Sequence, residues 1–258
     1  AKAVKEKYPE KVVITSGNIR NPKIAERIIE EGHADMVAIG RGLIAEPQWV
    51  NKVKSGREDE LRKCISCNIA CSGHRIGLNR PVRCTVNPSV IFGDTHKELK
   101  VKQATNVVVI GGGTAGLEAA CTAAEVGCTT FLFEAKPYLG GLAREIAKLP
   151  AKDRINDFPD YLINRAKKLK NLYIFTNTTA TIEAIENLKP DVVVNATGSN
   201  PLLPPITGLH SVVDKDNEKV MSIFGFIKNI KEFEAMELAG KKISVIGGGA
   251  VGLDVVEY

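Results

Sequence analysis

The stretch "TNVVVIGGGTAGLEAACTAAEVGCTTFLFEA", Thr105 to Ala135, decides the reading of the fold. Asn106 to Ile110 is a short β-branched run of the kind that forms a buried strand, and glycines fill the turn from Gly111 to Gly116. Ala115 to Val126 reads as a helix closed by Gly127, and Thr129 to Phe133 as a second strand. Strand, tight turn, helix and strand in this order make a βαβ unit, which requires a parallel sheet. The spacing Gly111-x-Gly113-x-x-Gly116 adds a chemical meaning. Gly111 permits the tight turn, Gly113 lets a pyrophosphate come close to the backbone, and Gly116 lets helix and strand close together. The helix N-terminus offers N–H groups and the positive end of its dipole to phosphate. Glu134, 21 residues beyond Gly113, stands where a carboxylate would accept hydrogen bonds from a ribose. The competing interpretation is a βαβ turn that binds nothing.

The same device recurs. "KKISVIGGGAVGLDVVEY" closes the chain, and Gly247-x-Gly249-x-x-Gly252 repeats the first motif 136 residues on. A strand before it and a helix after it are expected, and two such units argue for two nucleotide sites. The motif does not distinguish NAD from NADP, and a nucleotide-free remnant stays open. Between the motifs, "NLYIFTN" (171–177) and "PDVVVNATG" (190–198) supply two further strands. "IKEFEAMELAG" (230–240) supplies a helical stretch.

Upstream, "KVVITSG" (Lys11 to Gly17) and "DMVAIG" (Asp35 to Gly40) are strand-like, with 24 residues between their starts. Asn21 and Pro22 form a cap and first-turn pair for a helix ending at Gly32, and "EPQWVNKVKSG" (46–56) reads as another. This β-α-β-α rhythm demands a parallel sheet, open or closed. Glycines after such strands are where barrel enzymes hold phosphate, so Gly17, Asn18, Gly40 and Arg41 are candidates for a phosphate pocket, with Arg41 as its fork-shaped partner. Plain βα turns are the alternative.

Between these parts lies "CISCNIACSGHRIGLNRPVRC", Cys64 to Cys84, with four of the six cysteines. The segment from about 59 to 104 shows neither helical nor alternating period and carries Gly73, Gly77, Pro81, Pro88 and Gly93. A loop of that length in a compact protein needs something other than apolar burial to fix it, and a metal centre would do so. The spacing Cys64-x2-Cys67-x3-Cys71-x12-Cys84 has three ligands close together and one remote, which suits an iron–sulfur cubane better than paired zinc knuckles. Zinc, or no metal, stays open on spacing alone. Cys121 and Cys128 read as buried small hydrophobes. The histidines, 33, 74, 96 and 210, show no ligand spacing.

Composition narrows the class. The 258 residues are 44% hydrophobic and 25% charged, as in ordinary globular proteins, and length alone suggests two domains. The mild basic excess is dispersed, and "RAKKLK" (165–170) reads as a solvated helix face rather than a nucleic-acid patch. No apolar run would span a membrane and the start lacks a signal-peptide pattern, so a cytoplasmic, reducing setting is expected. There, clustered cysteines are metal ligands or redox groups first.

Taken in order, "SGNIRNP", "GRGLIAEP", the cysteine run, "VVVIGGGTAGLEAA", "FEAKPYLGG", "VVVNATGSNP" and "VIGGGAVG" resemble the 2,4-dienoyl-CoA reductase and enoate reductase group of NADH:flavin oxidoreductases. The resemblance implies an α/β fold made of the C-terminal fragment of a (β/α)8 barrel (residues 1–58) and an iron–sulfur segment with its linker (59–104). A Rossmann-like FAD domain (105–220) and the beginning of a Rossmann-like NAD(P) domain (221–258) follow. It implies FMN phosphate at Gly17, Asn18, Gly40 and Arg41, and a [4Fe-4S] cluster on Cys64, Cys67, Cys71 and Cys84. It implies FAD at Gly111, Gly113, Gly116, Glu134, Gly141, Ala196, Thr197 and Gly198, and NAD(P)H at Gly247, Gly249 and Gly252. Only the last quarter of a barrel is present, so the residues that would face the FMN ring and protonate substrate are expected upstream, and no catalytic residue is assigned here. The implied reaction is reduction of an activated C=C bond in a small enoate or enoyl-CoA substrate, in a protein that could be a homo-oligomer. Reversed flow in an amine dehydrogenase, an electron-input subunit like that of glutamate synthase, and a nucleotide-binding fragment without turnover are the alternatives.

Overall fold

The computed structural model describes residues 1–90, 99–215 and 219–258. Gly93 and His96 lie outside the described residues.

The chain opens with α1 (Lys2–Lys7), then β1 (Ile14–Ser16), α2 (Pro22–Glu30) and β2 (Met36–Ala38). The Asn21 side chain accepts from Lys23 N at 3.1 Å with Pro22 at the first helical position, as the sequence requires of a helix start. Strands β1 and β2 pair in parallel, Ile14 opposite Met36 and Ser16 opposite Ala38. Helices α3 (Arg41–Ala45) and α4 (Trp49–Lys54) follow. Trp49, Ile19, Ala25 and Leu61 form a small core with Val37 and Ile39. Helix α3 was not expected. Gly40 lies at its N-terminus, and Gly42 fits where a Cβ would stand 2.7 Å from Ile39 Cγ2.

Within the cysteine segment, expected to lack helical order, Ile69–Gly77 forms π-helical turns. Asn68, left-handed at φ 57°, starts them, and its carbonyl accepts from Gly73 N at 2.8 Å, a five-residue step. Such widened turns favour no simple periodicity in the sequence, which is why none was visible.

The larger sheet is made of β3 (Asn106–Ile110), β4 (Thr129–Phe133), β5 (Leu172–Phe175) and β6 (Val192–Asn195). Its order is β5-β4-β3-β6 and every pairing is parallel. Between these strands run α5 (Thr114–Glu125), α6 (Leu142–Ile146), α7 (Asp157–Lys167) and α8 (Ile182–Asn187). Val109, Leu117, Cys121, Leu132 and Leu162 are the centre of the core, each 0% exposed. Arg165 on α7 reaches both carboxylate oxygens of Glu125, at 2.6 and 2.8 Å, and Glu118 at 2.9 Å, tying α7 to α5. Within "RAKKLK", Lys167 and Lys170 are exposed, Leu169 packs on the core and Arg165 is locked in an ion-pair cluster.

Beyond the sheet come α9 (Leu209–Val212), α10 (Ile223–Lys228), α11 (Ile230–Glu234) and α12 (Ala250–Glu257). The strand expected before Gly247 does not form. No neighbour hydrogen-bonds along 242–246 among the described residues, and Ile243 and Ile246 stay 67% and 71% exposed. A strand is stabilised by its ladder, and β-propensity alone does not supply one.

Polar contacts join the first part of the chain to α7. Arg20 pairs with Asp157, Lys63 stands 3.7 Å from the same carboxylate, and Lys168 bridges Asp59 and Glu60 at 2.8 Å each. The Arg62 guanidinium lies 5.5 Å from the Tyr161 ring centroid.

Candidate functional site

The glycine turn after β3 is built by close approach. Gly111 has φ 106°, and a Cβ there would overlap the Ala196 carbonyl. A Cβ on Gly116 would overlap the Gly111 carbonyl and stand 3.3 Å from Ala196 Cβ. These positions are glycine because three backbones meet. Gly113 differs: it is extended, at φ −72° and ψ −177°, and a Cβ there would meet nothing nearer than Gly141 Cα at 3.9 Å. The fold leaves room at Gly113, and that room faces the N-terminus of α5.

The "YLGG" loop comes back onto this turn. Gly140 N donates to Gly112 O at 2.8 Å, and Gly141, at φ 54°, would bring a Cβ within 2.8 Å of Gly113 Cα. Glu134 follows β4 and accepts from Gly112 N at 2.7 Å and from Lys136 N at 2.8 Å. The carboxylate anticipated as a ribose partner therefore also fixes the turn, and each oxygen keeps a further lone pair for a ligand. Ala196, Thr197 and Gly198 continue from β6. Ala196 N donates to Ile110 O at 2.8 Å, and Thr197 Oγ1 donates to Asn195 Oδ1 at 3.0 Å. Seven of the eight residues expected around this turn thus stand on the segments that follow β3, β4 and β6, and the eighth, Gly116, lies in the first turn of α5.

The second turn copies the first. Gly247 has φ 112°, Gly249 is extended at φ −78° and ψ 177° before α12, and a Cβ on Gly252 would overlap the Gly247 carbonyl. The turn is formed although its strand is not. Lys152 Nζ reaches Asp254 Oδ1 at 2.9 Å and joins α12 to the segment before α7.

Cys64, Cys67, Cys71 and Cys84 all line one small cavity, closed by Arg41, Ile44, Ile65, Asn68, Ala70, Thr85 and Val86. Ser66 N donates to Cys64 Sγ at 3.4 Å, and Cys67 Sγ stands 3.2 Å from Thr85 Oγ1. Burial pushes the Cys84 thiol up, while N–H groups of Val86 and Asn87 favour its thiolate. Among the described residues, no three His, Cys, Asp or Glu side chains converge as a single metal ion requires. A cluster asks for something different, because each thiolate reaches its own iron and the sulfurs stand around a space rather than a point. Four cysteines facing one cavity, with N–H donors on two sulfurs, fit that demand. His74 is not among the residues lining the cavity. Cys121 and Cys128 are buried away from it, and burial pushes the Cys121 thiol up to about 12.

Gly17 and Asn18 follow β1, and Gly40 and Arg41 come just after β2, with Arg41 opening α3, so both pairs share the C-terminal edge of one parallel sheet. The Asn18 and Arg41 side chains, however, are turned to the cysteine segment. Asn18 Oδ1 accepts from Arg154 at 3.2 Å and from Ser66 Oγ at 3.4 Å, and Arg41 donates to Asn68 Oδ1. Sequence reasoning missed Asn68 and Arg154; neither has a spacing signal, since each matters through a contact distant in sequence.

The family model "Pyridine nucleotide-disulphide oxidoreductase" matches residues 105–258, and "NADH:flavin oxidoreductase / NADH oxidase family" matches 1–60. The chain belongs to the NADH:flavin oxidoreductases of the enoate reductase group. Members of this family are oxidoreductases. An NADH oxidase of Thermoanaerobacter brockii is 43% identical over 95% of the chain, which covers 37% of that protein. A cinnamate reductase of Clostridium sporogenes is 32% identical over 94% of the chain and 34% of its own length. The chain thus spans about a third of these relatives. A 2-naphthoyl-CoA reductase structure matches 98% of the chain and 36% of its own, with TM-score 0.80 and 25% identity. A histamine dehydrogenase structure from Rhizobium sp. 4-9 matches 80% of the chain and 30% of its own, with TM-score 0.70 and 26% identity. In this family β1 and β2 are a fragment of the barrel, and the glycine-turn sheet is the Rossmann-type module. No helix among the described residues is long and apolar enough to cross a membrane.

Proposed function

We propose that the protein passes electrons from NAD(P)H through FAD and a [4Fe-4S] centre to FMN, for reduction of an activated C=C bond in an enoate or enoyl-CoA type substrate. The four-part division at 1–58, 59–104, 105–220 and 221–258 assigns one group to each part. Gly247, Gly249 and Gly252 hold the dinucleotide that gives hydride. Gly111, Gly113, Gly116, Glu134, Gly141, Ala196, Thr197 and Gly198 hold FAD. Cys64, Cys67, Cys71 and Cys84 ligate the cluster, and Gly17, Asn18, Gly40 and Arg41 meet the FMN phosphate. Flavins exchange two electrons with hydride carriers and one with a cluster, so a cluster between two flavins joins both modes. Per turnover the nicotinamide loses one hydride, and the substrate gains a hydride equivalent and a proton. A reducing cytoplasm, where thiols stay free to bind metal, belongs to the same reading.

The observation that carries this reading is the place of the cysteine cavity. Its wall includes Arg41 and Ile44 from the barrel fragment, and Ser66, between Cys64 and Cys67, accepts a hydrogen bond from Arg154 of the flavin-type module at 3.1 Å. The cysteine segment therefore touches both the barrel fragment and the flavin-type module, as a relay between them requires. The histamine dehydrogenase likeness raises the reverse flow, from an amine to a partner protein; the fully formed turn at Gly247 favours the pyridine-nucleotide direction. Anaerobic mixing separates them. NADH or NADPH should bleach the flavin absorbance, and an amine should leave it unchanged. Bleaching by an amine with no response to either nicotinamide would overturn the proposal.

A further inference from the structure

We infer that Arg41 is a positioning residue for the cysteine cage: it holds the turn carrying Cys67 and Cys71 through Asn68, and sets a positive charge against the cavity. The inference rests on the cluster reading above and gives Arg41 a second duty beside phosphate. Arg41 begins α3 at the C-terminal edge of β2, yet its side chain lines the cysteine cavity and its Nη1 donates to Asn68 Oδ1. Asn68 is the joint of the cage. It follows Cys67 directly, is left-handed at φ 57°, and starts the π-helical turns that carry Cys71. Its carbonyl accepts from Gly73 N at 2.8 Å, so turning Asn68 would turn the whole segment. One guanidinium on the barrel fragment thereby fixes the mutual placement of two of the four thiols.

The Asn68 amide is neutral, so this hydrogen bond does not cancel the arginine charge, which the phosphate of the proposed FMN would offset only in part. A positive charge beside the cage stabilises whichever state of the cluster carries the extra electron, and so raises its potential. The two duties are separable by substitution. Asn68→Gly keeps the left-handed backbone, which glycine adopts freely, but removes the acceptor. Arg41→Gln keeps a hydrogen-bond donor and removes the charge, and Arg41→Lys keeps the charge and loses the fork.

The full chain and these variants, purified anaerobically, would be compared for iron and acid-labile sulfide, flavin content, rate of iron loss to a chelator, and midpoint potential from an EPR-monitored redox titration. Asn68→Gly should lose iron at least about tenfold faster, the usual cost of removing an outer partner of a metal site, with flavin content unchanged. Arg41→Gln should lower the midpoint potential, and Arg41→Lys should leave it near that of the unsubstituted chain. Unchanged iron retention in Asn68→Gly together with an unchanged potential in Arg41→Gln would overturn the inference while the cluster stood. An unsubstituted chain without iron would sink the cluster reading and this inference with it.

Discussion

At the scale of single residues, the two kinds of glycine in the first turn make different demands. Gly116 is fixed by the fold, because a Cβ would overlap the Gly111 carbonyl, whereas the space at Gly113 is open to 3.9 Å. Gly113→Ala should therefore leave stability within about 0.5 kcal/mol, as surface changes do, yet remove FAD by filling the path of the pyrophosphate. Gly116→Ala should lose both flavin and folded protein. FAD content, resolved from FMN by chromatography of the released flavins, beside a denaturant midpoint checks the pair; stable, FAD-loaded Gly113→Ala would mean the turn does not hold FAD. Arg165 poses a stability question instead. Its charge is held above the usual range despite the opposing effect of burial, by hydrogen bonding to Glu125 and by the nearby Glu118. Arg165→Met would remove the ion pairs of two partly buried carboxylates and should cost roughly 1–3 kcal/mol in urea unfolding. The glycine spacing announced the turn, but nothing around position 165 announced this clamp, because its partners stand 40 and 47 residues away in sequence.

At the scale of elements, legibility followed how local the cause is. Strands β3 and β4 have the bounds their β-branched runs suggest, and α5 starts one residue before Ala115. The cysteine segment and the missing strand at 242–246 were illegible for opposite reasons. Asn68 and Gly73 make π-helical turns whose five-residue step leaves no familiar period, while "KKISVI" carries a strand-like pattern with no described neighbour to pair with. The cysteine spacing predicted a shared centre, and the cavity gathers those four residues, but Asn68 and Thr85 at its wall carry no motif. The docking of α7 on the 58–60 turn is likewise a matter of contact. Hydrogen bonding from Lys168 pulls Asp59 and Glu60 below their ordinary values of 3.8 and 4.5. Carboxylates so depressed stabilise the folded state above those ordinary values, and the contribution is lost as pH falls through the lowered ones. Hydrogen exchange of α7 amides should thus rise as pH falls below about 4 after correction for intrinsic rate, and Lys168→Gln should abolish the extra rise. High salt should weaken the effect, because all three side chains are partly solvated.

At the scale of the whole molecule, the parts follow one another in order: a barrel edge, a cysteine cage, a sheet with its glycine turn, then a second glycine turn. Arg20, Lys63 and Arg154 hold the barrel edge and cysteine segment against the flavin-type module, and Lys152 reaches forward to Asp254 on α12. The cysteine cage is expected to hold iron and sulfide. The most direct test is to assay iron, acid-labile sulfide and zinc in the anaerobically purified chain, with Cys84→Ser alongside. About four irons and four sulfides per chain, falling in Cys84→Ser, is the predicted result. Zinc in their place, or thiols free of any metal in anaerobic protein, would contradict it.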